Sequence, residues 1–526
     1  MKGVHRRRAR SPGATLGRRP HYRTEPGRSC TVFRYFDDNQ RTVALPVTFL
    51  RELATVLPPD RLLFESTDLL TYESDGLVHL RATPGAVVLP TTTTEVQTVL
   101  RLCHAHGVPS VARGHGTGLS GGALPSPDGV LISLARMTHI RHVDIENQFV
   151  VAEPGVTNLD ITKRVAPFGY YYAPDPSSQI VCSIGGNVAE NSGGAHCLKY
   201  GFTVHHVLGV EAVLPNGEVI RLGGPTLDPP GLDLLGVVVG SEGTLAVVTE
   251  VTVRILRRPE AVLTLLAGFP SIDAAGEAVS AIIGAGIVPA AVEMMDRLTI
   301  DAAEAAVHPN FPATQAVLIV ELDGPGVEVR ELFATVEAVC QRCGAETVEV
   351  ARDAGARDRI WKGRKAAFAA MGRVSPNYYV QDGVVPRTRL TEVLRRIREL
   401  EARSGLRIGN VFHAGDGNLH PLICYDESIP GQAEQAEQVA SEILQYCIDA
   451  GGALTGEHGI GADKKRYMPK MFSDDDLDTM QRVRCAFDPS GLCNPGKVFP
   501  TPRLCGEVPG PYRAHPVEKA GLGERF

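Results

Sequence analysis

The chain has 526 residues, 43% of them apolar and 21% charged, and a net charge of −7. That balance excludes a wholly disordered chain, a collagen-like repeat and a disulfide-stapled miniprotein, and its length suits roughly two to four domains. Charge is uneven: residues 1–28 hold Lys2 and eight Arg against Glu25, so this stretch is +8 and the rest of the chain is −15. An acidic body argues against nucleic acid as a partner.

The N-terminal stretch MKGVHRRRARSPGATLGRRP has no apolar run, so it reads neither as a secretory signal nor as a membrane span. Residues 1–35 are expected to be a disordered basic tail, with a targeting segment or a misassigned start as the alternatives. Residues 86–113 then read as strand, helix, strand: AVVLP, a Thr-capped TTTTEVQTVLRLCHAH that stops at Gly107, and VPSVARG. From 130 to 255 short apolar runs recur (VLISL, FVVAEPG, GTLAVVTEVTVRIL), and PNG at 215–217 marks a hairpin. After Pro259, strands such as AVLTLLAGF and AVLIVELDG alternate with longer helical patterns. The most apolar window, AVSAIIGAGIVPAAVEMM at 278–295, is broken by Pro289, Glu293 and two Gly, so it reads as a core helix followed by a strand; no transmembrane segment is expected. A helix is expected near 434–450, and residues 500–526 read as loop.

The first chemical motif is Arg113-GHGTGLSGG-Ala123. Gly116-x-Gly118-x-x-Gly121 invites a dinucleotide reading, but GALPSPDGVLISL follows with two Pro and a strand, leaving no helix to receive a pyrophosphate. What survives is a run of backbone N–H groups able to form an anion nest, against the plainer reading of a structural turn cluster. DPSSQIVCSIGGNVAENSGG at 175–194 and GSEGTL at 240–245 are likewise too polar and glycine-rich for core, and suit backbone lying against one extended polar ligand.

His413-AGDGNL-His420 follows a strand-like GNVF, and a Gly-Asp-Gly-Asn turn would fold the two His together. Gly456-Glu457-His458 comes later. Three imidazoles and a carboxylate in two Gly-flanked loops suit a divalent ion better than satisfied core polar groups, and the spacing is not that of a zincin. In ARDRIWKGRKAAFAA, Trp361, Arg364 and Phe368 share a helix face. Such an Arg suits bidentate capture of a carboxylate; by itself it reads equally as a snorkelling surface residue.

The segments RGHGTGLSGGALP, PDPSSQIVCSIGGNVAENSGGAHCLKYG and GSEGTLAVVTEVTV resemble the FAD-binding domain of the vanillyl-alcohol oxidase/p-cresol methylhydroxylase (PCMH) flavoproteins. NYYVQDGVVPR, NVFHAGDGNLHPLI, TGEHGIGADK and AFDPSGLCNPGKVFPT are similar to the C-terminal half of FAD-dependent D-2-hydroxyacid dehydrogenases, with the nearest likeness to the glycolate-oxidising branch of that family. The resemblance runs from about residue 45 to the end. It implies an α+β fold: a PCMH-type two-subdomain FAD-binding domain (36–258), an α/β cap domain with an antiparallel sheet holding substrate and metal (259–470), and a C-terminal helical segment packing back on the FAD domain (471–526).

By the same resemblance, Arg113, Gly114, His115, Gly116, Thr117, Gly118, Ser120, Gly121 and Gly122 hold the FAD phosphates. Pro174, Asp175, Ser177, Ser178, Ser183, Gly185, Gly186, Asn187, Asn191, Gly193 and Gly194 line the flavin and ribityl chain. Glu242, Gly243 and Val248 lie near adenine, and Asn494 approaches the flavin. Some members attach flavin through His or Cys; His115 and Cys182 lack a matching pattern, so FAD is expected to be non-covalent. His413, His420 and Glu457 would bind a divalent metal, zinc or manganese; His458 would act as general base and Arg364 would hold the substrate carboxylate. Relatives acting on larger diacids carry Lys where Val380 stands, which counts against a dicarboxylate. The implied reaction is oxidation of glycolate or D-lactate to the 2-oxo acid. The alternatives are a stand-alone D-lactate or D-2-hydroxyglutarate dehydrogenase, and a catalytically silent flavin subunit. Expected partners are a second flavin subunit and an iron–sulfur subunit passing electrons to quinone or another acceptor, with the protein cytoplasmic or peripheral on the inner membrane face.

Overall fold

The computed structural model describes residues 45–226 and 231–500; the basic tail and the stretch after 500 lie outside the described residues. Four short strands, β1 (Leu62–Leu63), β2 (Ala86–Val88), β3 (Ser110–Arg113) and β4 (Val130–Ser133), form a sheet in the order β1-β2-β4-β3. Helix α1 (Thr93–His106) links β2 to β3. Thr92 accepts the Glu95 N–H at its start, and Gly107 ends it in the left-handed region at φ 64°, as the Thr and Gly punctuation predicts. β2 and β3 do not touch: β4 lies between them, parallel to both. The glycine loop therefore leaves β3 at the sheet edge.

The second sheet runs β5 (Ile140–Asp144), β6 (Phe149–Ala152), β9 (Val247–Arg254), β7 (Val207–Val213), β8 (Val219–Gly223), all antiparallel. The predicted PNG turn joins β7 to β8, with Gly217 at φ 81°. Helix α2 (Ile184–Glu190) packs Ile184 and Val188 into the core of this sheet beside Val210, Ala212 and Val251.

The third sheet has seven antiparallel strands in the order β13 (Thr347–Ala351), β10 (Ala261–Phe269), β12 (Ala316–Gly324), β11 (Ala291–Asp296), β15 (Ile408–His413), β16 (Pro421–Tyr425), β14 (Asn377–Val380). Both its faces are covered. Leu265, Ala267, Leu318 and Val320 point to one core, shared with helices α3 (Ile272–Gly284), α4 (Gly326–Arg342), α6 (Leu390–Ser404) and α7 (Gln432–Asp449). Leu266, Val317 and Ile319 point to the other, shared with helix α5 (Ala354–Ala370). Period-two alternation between two apolar faces is why AVLTLLAGF and AVLIVELDG read as unbroken apolar runs. Each fully buried Val or Leu there contributes about 1.5–3 kcal/mol.

Helix α8 (Asp474–Phe487) leads into a segment that returns to the first sheet: the Ser110 N–H donates to Leu492 O (2.8 Å) and the Asn494 N–H to Ser110 O (2.7 Å). Among the described residues no helix is long and apolar enough to cross a membrane.

Candidate active site

A cavity of about 630 Å³ is walled on one side by the glycine loop, the 176–192 segment and Ser241–Gly243. Its other side is Phe368, Tyr378, Val380, His420, Glu457 and His458. The first wall is mostly backbone. A Cβ on Gly114 would sit 2.0 Å from Ser183 Oγ and on Gly122 2.5 Å from Glu190 Oε1, and just behind the wall one on Gly193 would sit 2.8 Å from Glu457 Oε2. Such a trough fits a long, flat, polar ligand, and the buried oxygens Ser120 Oγ, Asp75 Oδ2 and Glu190 Oε2 have no hydrogen-bond partner around it. No helix follows the glycine loop, so the departure from a Rossmann phosphate site stands.

Of the residues assigned to FAD, Arg113–Gly118, Gly122, Ser177, Ser178, Ser183, Gly185–Asn187, Glu242, Gly243 and Val248 line this cavity. The others sit just behind it. Ser120 O receives the Ala462 and Asp463 N–H groups (3.1 Å each), and Gly121 turns beside Leu80 and Ala462. Pro174 O accepts from Asn158 Nδ2 (3.0 Å), and Asp175 pairs with His196 (2.8 Å). Asn191 caps α2 at φ 52° and accepts the Val204 N–H (2.8 Å), while Gly194 packs on Asp175. Asn494 Nδ2 donates to Gly122 O (2.9 Å) and Glu242 O (2.6 Å), stitching two of the loops together. Cys182 is buried, its thiol pushed up by burial and shared with the Asn187 amide (3.5 Å).

The three His meet at the far end. His413 closes β15 and His420 precedes β16; the turn between them, with Gly417 at φ 81°, brings their rings to 5.1 Å. His458 stacks on His420 at 5.0 Å, nearly parallel. Glu457 Oε1 lies 3.2 Å from His413 Nε2 and 3.5 Å from His420 Nε2. His413, His420 and Glu457 offer ligand atoms all within 4.8 Å of one another. Both nitrogens of His420 are buried and lack a hydrogen-bond partner, a donor set suited to a divalent ion. Burial pushes the Glu457 carboxyl up, but the hydrogen bond and charge of His413 outweigh it and hold it at about 2. Burial lowers His458 to about 4, against the charge of Asp382, so its imidazole is neutral near pH 7.

Two carboxylates that the motifs did not single out build this end. Glu293, opposite His413 in the β11–β15 register, is fully buried and places Oε1 2.6 Å from His413 Nδ1. Its only sequence signal is an acid inside an apolar strand. Asp382 accepts N–H groups from Gly456 (3.1 Å), Glu457 (3.3 Å) and His458 (2.9 Å), the Thr455 hydroxyl, and the Lys464 ammonium (3.2 Å). Asp382, His420 and His458 form a second geometrically compact triad. Asp382 is already saturated with donors, including a cation, so the Glu457 triad is the better ion site. Arg364 is not in the cavity wall: it is buried and donates from Nε to Glu293 Oε2 (2.7 Å). Its neighbour Lys365 does line the cavity.

Residues 84–223 match the FAD binding domain family and residues 258–498 the C-terminal domain of FAD linked oxidases. Glycolate oxidase subunit GlcD of Escherichia coli strain K12 is 48% identical over 87% of this chain and 92% of its own length. The Bacillus subtilis subunit GlcD is 38% identical over 85% and 96%. A D-lactate dehydrogenase of Anaerostipes hadrus is 32% identical over 80% and 90%. Among solved structures, p-cresol methylhydroxylase shares the fold at a TM-score of 0.74 and 17% identity, over 86% of this chain and 96% of its own. The chain belongs to the FAD-linked oxidases, the family that includes the GlcD subunits, and is an FAD-dependent oxidoreductase.

Proposed function

We propose that this protein oxidises a small D-2-hydroxy acid, glycolate or D-lactate, to the 2-oxo acid. The observation that carries this reading is His458 stacked on His420, both lining the cavity of the FAD-type loops with Glu457, and His413 completing the triad behind them. When bound, FAD supplies the two-electron acceptor and a divalent ion, zinc or manganese, supplies a Lewis acid. His413, His420 and Glu457 would hold that ion, with Glu293 fixing the ring of His413. His458 would take the hydroxyl proton, and Arg364 would reach the substrate carboxylate only by giving up its pairing with Glu293 behind the cavity wall. Phe368 packs edge-on against His420 and Val380 lines the same cavity, apolar walls that suit a small side chain.

The residues assigned to FAD, non-covalently bound, keep those roles in this reading, as do the cap domain beginning near 259 and the segment after 470. The GlcD relatives are named as oxidase subunits, so a second flavin subunit and an iron–sulfur subunit at the inner face of a membrane are the partners we favour. A stand-alone D-lactate dehydrogenase is the second reading, supported by relatives of that name. The test is an anaerobic flavin spectrum of the purified protein titrated with glycolate, D-lactate, L-lactate and D-2-hydroxyglutarate, with and without chelator. Bleaching by a small D-acid or glycolate that chelator abolishes supports the proposal. A yellow protein that none of them bleaches overturns it in favour of a silent flavin subunit.

A further inference from the structure

Glu190 ends helix α2 and lines the cavity, yet it has no ion-pair or hydrogen-bond partner for Oε2, an atom shut off from solvent. A second carboxylate, Glu242, approaches the same point. A Cβ on Gly459, one residue after His458, would lie 2.1 Å from Glu190 Oε2 and 3.0 Å from Glu242 Oε1. Two buried carboxylates that approach one point disfavour each other's ionisation.

The surroundings decide which one keeps the proton. Glu242 accepts the backbone N–H groups of Ile460 and Gly461, each at 2.6 Å, and these stabilise its charged form. Glu190 has no such donors on Oε2. The charges of Glu242, Asp75 and Asp382 disfavour its ionisation, and that of Lys464 opposes them. Burial and then the Glu242 charge push the Glu190 carboxyl well up. Burial also raises Glu242, with Lys464 and Lys497 acting against it alongside the two N–H groups.

We propose that Glu190 is a neutral carboxylic acid in the wall of the flavin cavity and that its ionisation at higher pH sets how the redox potential of bound FAD varies with pH. The neutral form adds no charge to the cavity wall. The ionised form is a fixed negative charge in a low-dielectric cavity and disfavours the electron-rich reduced flavin. The inference rests on FAD occupying this cavity.

The experiment is spectroelectrochemical titration of the FAD-loaded, full-length protein from mildly acid to alkaline pH. The unmodified protein should show a bend in potential against pH, and Glu190→Gln, a neutral donor, should lose that bend while keeping the acid-side potential. Glu242→Gln, which removes the neighbouring charge, should move the bend to lower pH. Identical curves for the unmodified protein and Glu190→Gln overturn the proposal, as does a bend that Glu242→Gln leaves in place. Infrared spectra of the apo protein give a readout independent of the cofactor. A protonated-carboxyl C=O band lost in Glu190→Gln supports the neutral acid, and its absence from the unmodified protein overturns it. Failure of every variant and of the unmodified protein to take up FAD would instead overturn the cofactor's place in the cavity.

Discussion

Arg364 and Glu293 form a fully desolvated ion pair, Nε to Oε2 at 2.7 Å, with the Arg side chain 3% exposed and the Glu 0%. The other oxygen of the same carboxylate holds His413. Glu293 thus holds the buried Arg364 guanidinium and the His413 imidazole at once, and the charges of Arg364 and His413 keep it ionised against its burial. Glu293→Gln should leave a buried guanidinium uncompensated, costing about 3–5 kcal/mol of stability. It should also weaken divalent-ion affinity about 10–100-fold by freeing the His413 ring. Thermal melting and metal titration by calorimetry measure the two effects separately, and a variant with unchanged ion affinity would disconnect Glu293 from the site.

Asp382 organises the Thr455–His458 loop by collecting its N–H groups around one carboxylate, and Lys464 balances its charge. Asp382→Asn should misplace His458 and lower kcat at least about tenfold, with FAD retained. The double variant Asp382→Asn/Lys464→Met should be less destabilised than the sum of the single ones, because each alone strands a buried partner at about 3–5 kcal/mol. A thermodynamic cycle from chemical denaturation checks this; additive single effects would mean the two groups are not coupled.

The trough makes a steric prediction. Gly114→Ala places a Cβ 2.0 Å from Ser183 Oγ, and Gly459→Ala adds a left-handed φ of 89° to a 2.1 Å approach. Both should lose FAD retention, read as flavin absorbance per chain after gel filtration. Gly224→Ala meets nothing within 4 Å and has no positive φ, so it should change stability by less than about 0.5 kcal/mol. Equal flavin content in all three would show that the loops have slack the geometry denies.

Most of the site's parts are legible in the sequence because their residue types are costly anywhere else. Glycine runs and paired His in Gly-flanked turns oppose both helix and strand, so GHGTGLSGG and HAGDGNLH stand out, and the latter turn does bring its two rings together. The ends of α1 follow from Thr92 and Gly107. Long-range pairing is not legible. Nothing local says that β4 inserts between β2 and β3, or that Glu293 stands opposite His413 across β11 and β15. The visible helix face of Arg364 suggests capture of a substrate carboxylate, whereas the carboxylate it meets is Glu293, about seventy residues earlier, which no local pattern signals. Asp382 lies in the NYYVQDGVVPR segment yet gives no sign that it gathers a loop far along the chain.

A last prediction concerns His196, which joins the 175–194 loop to the large sheet. Its Nδ1 lies 2.8 Å from Asp175 Oδ2 and its Nε2 3.2 Å from Glu321 Oε1, and its ring stacks on Trp361 at 5.6 Å. Glu321 is held as an anion by Arg357 (2.7 Å) and by the Trp361 indole (2.8 Å). Burial lowers the His196 pKa, but the charge and hydrogen bond of Asp175, joined by Glu321, raise it to about 10. A free imidazole releases its proton at about pH 6.5. The folded protein therefore binds this proton more tightly, so the stabilisation is whole below about pH 6.5 and fades as pH rises toward about 10. The amount is of order a few kcal/mol, since holding a proton tenfold more tightly is worth about 1.4 kcal/mol. Denaturation midpoints measured across that window should fall with rising pH in the unmodified protein. His196→Gln should be less stable at pH 6 and show a flatter profile. Parallel profiles for the two proteins would mean that His196 is not protonated in the folded state.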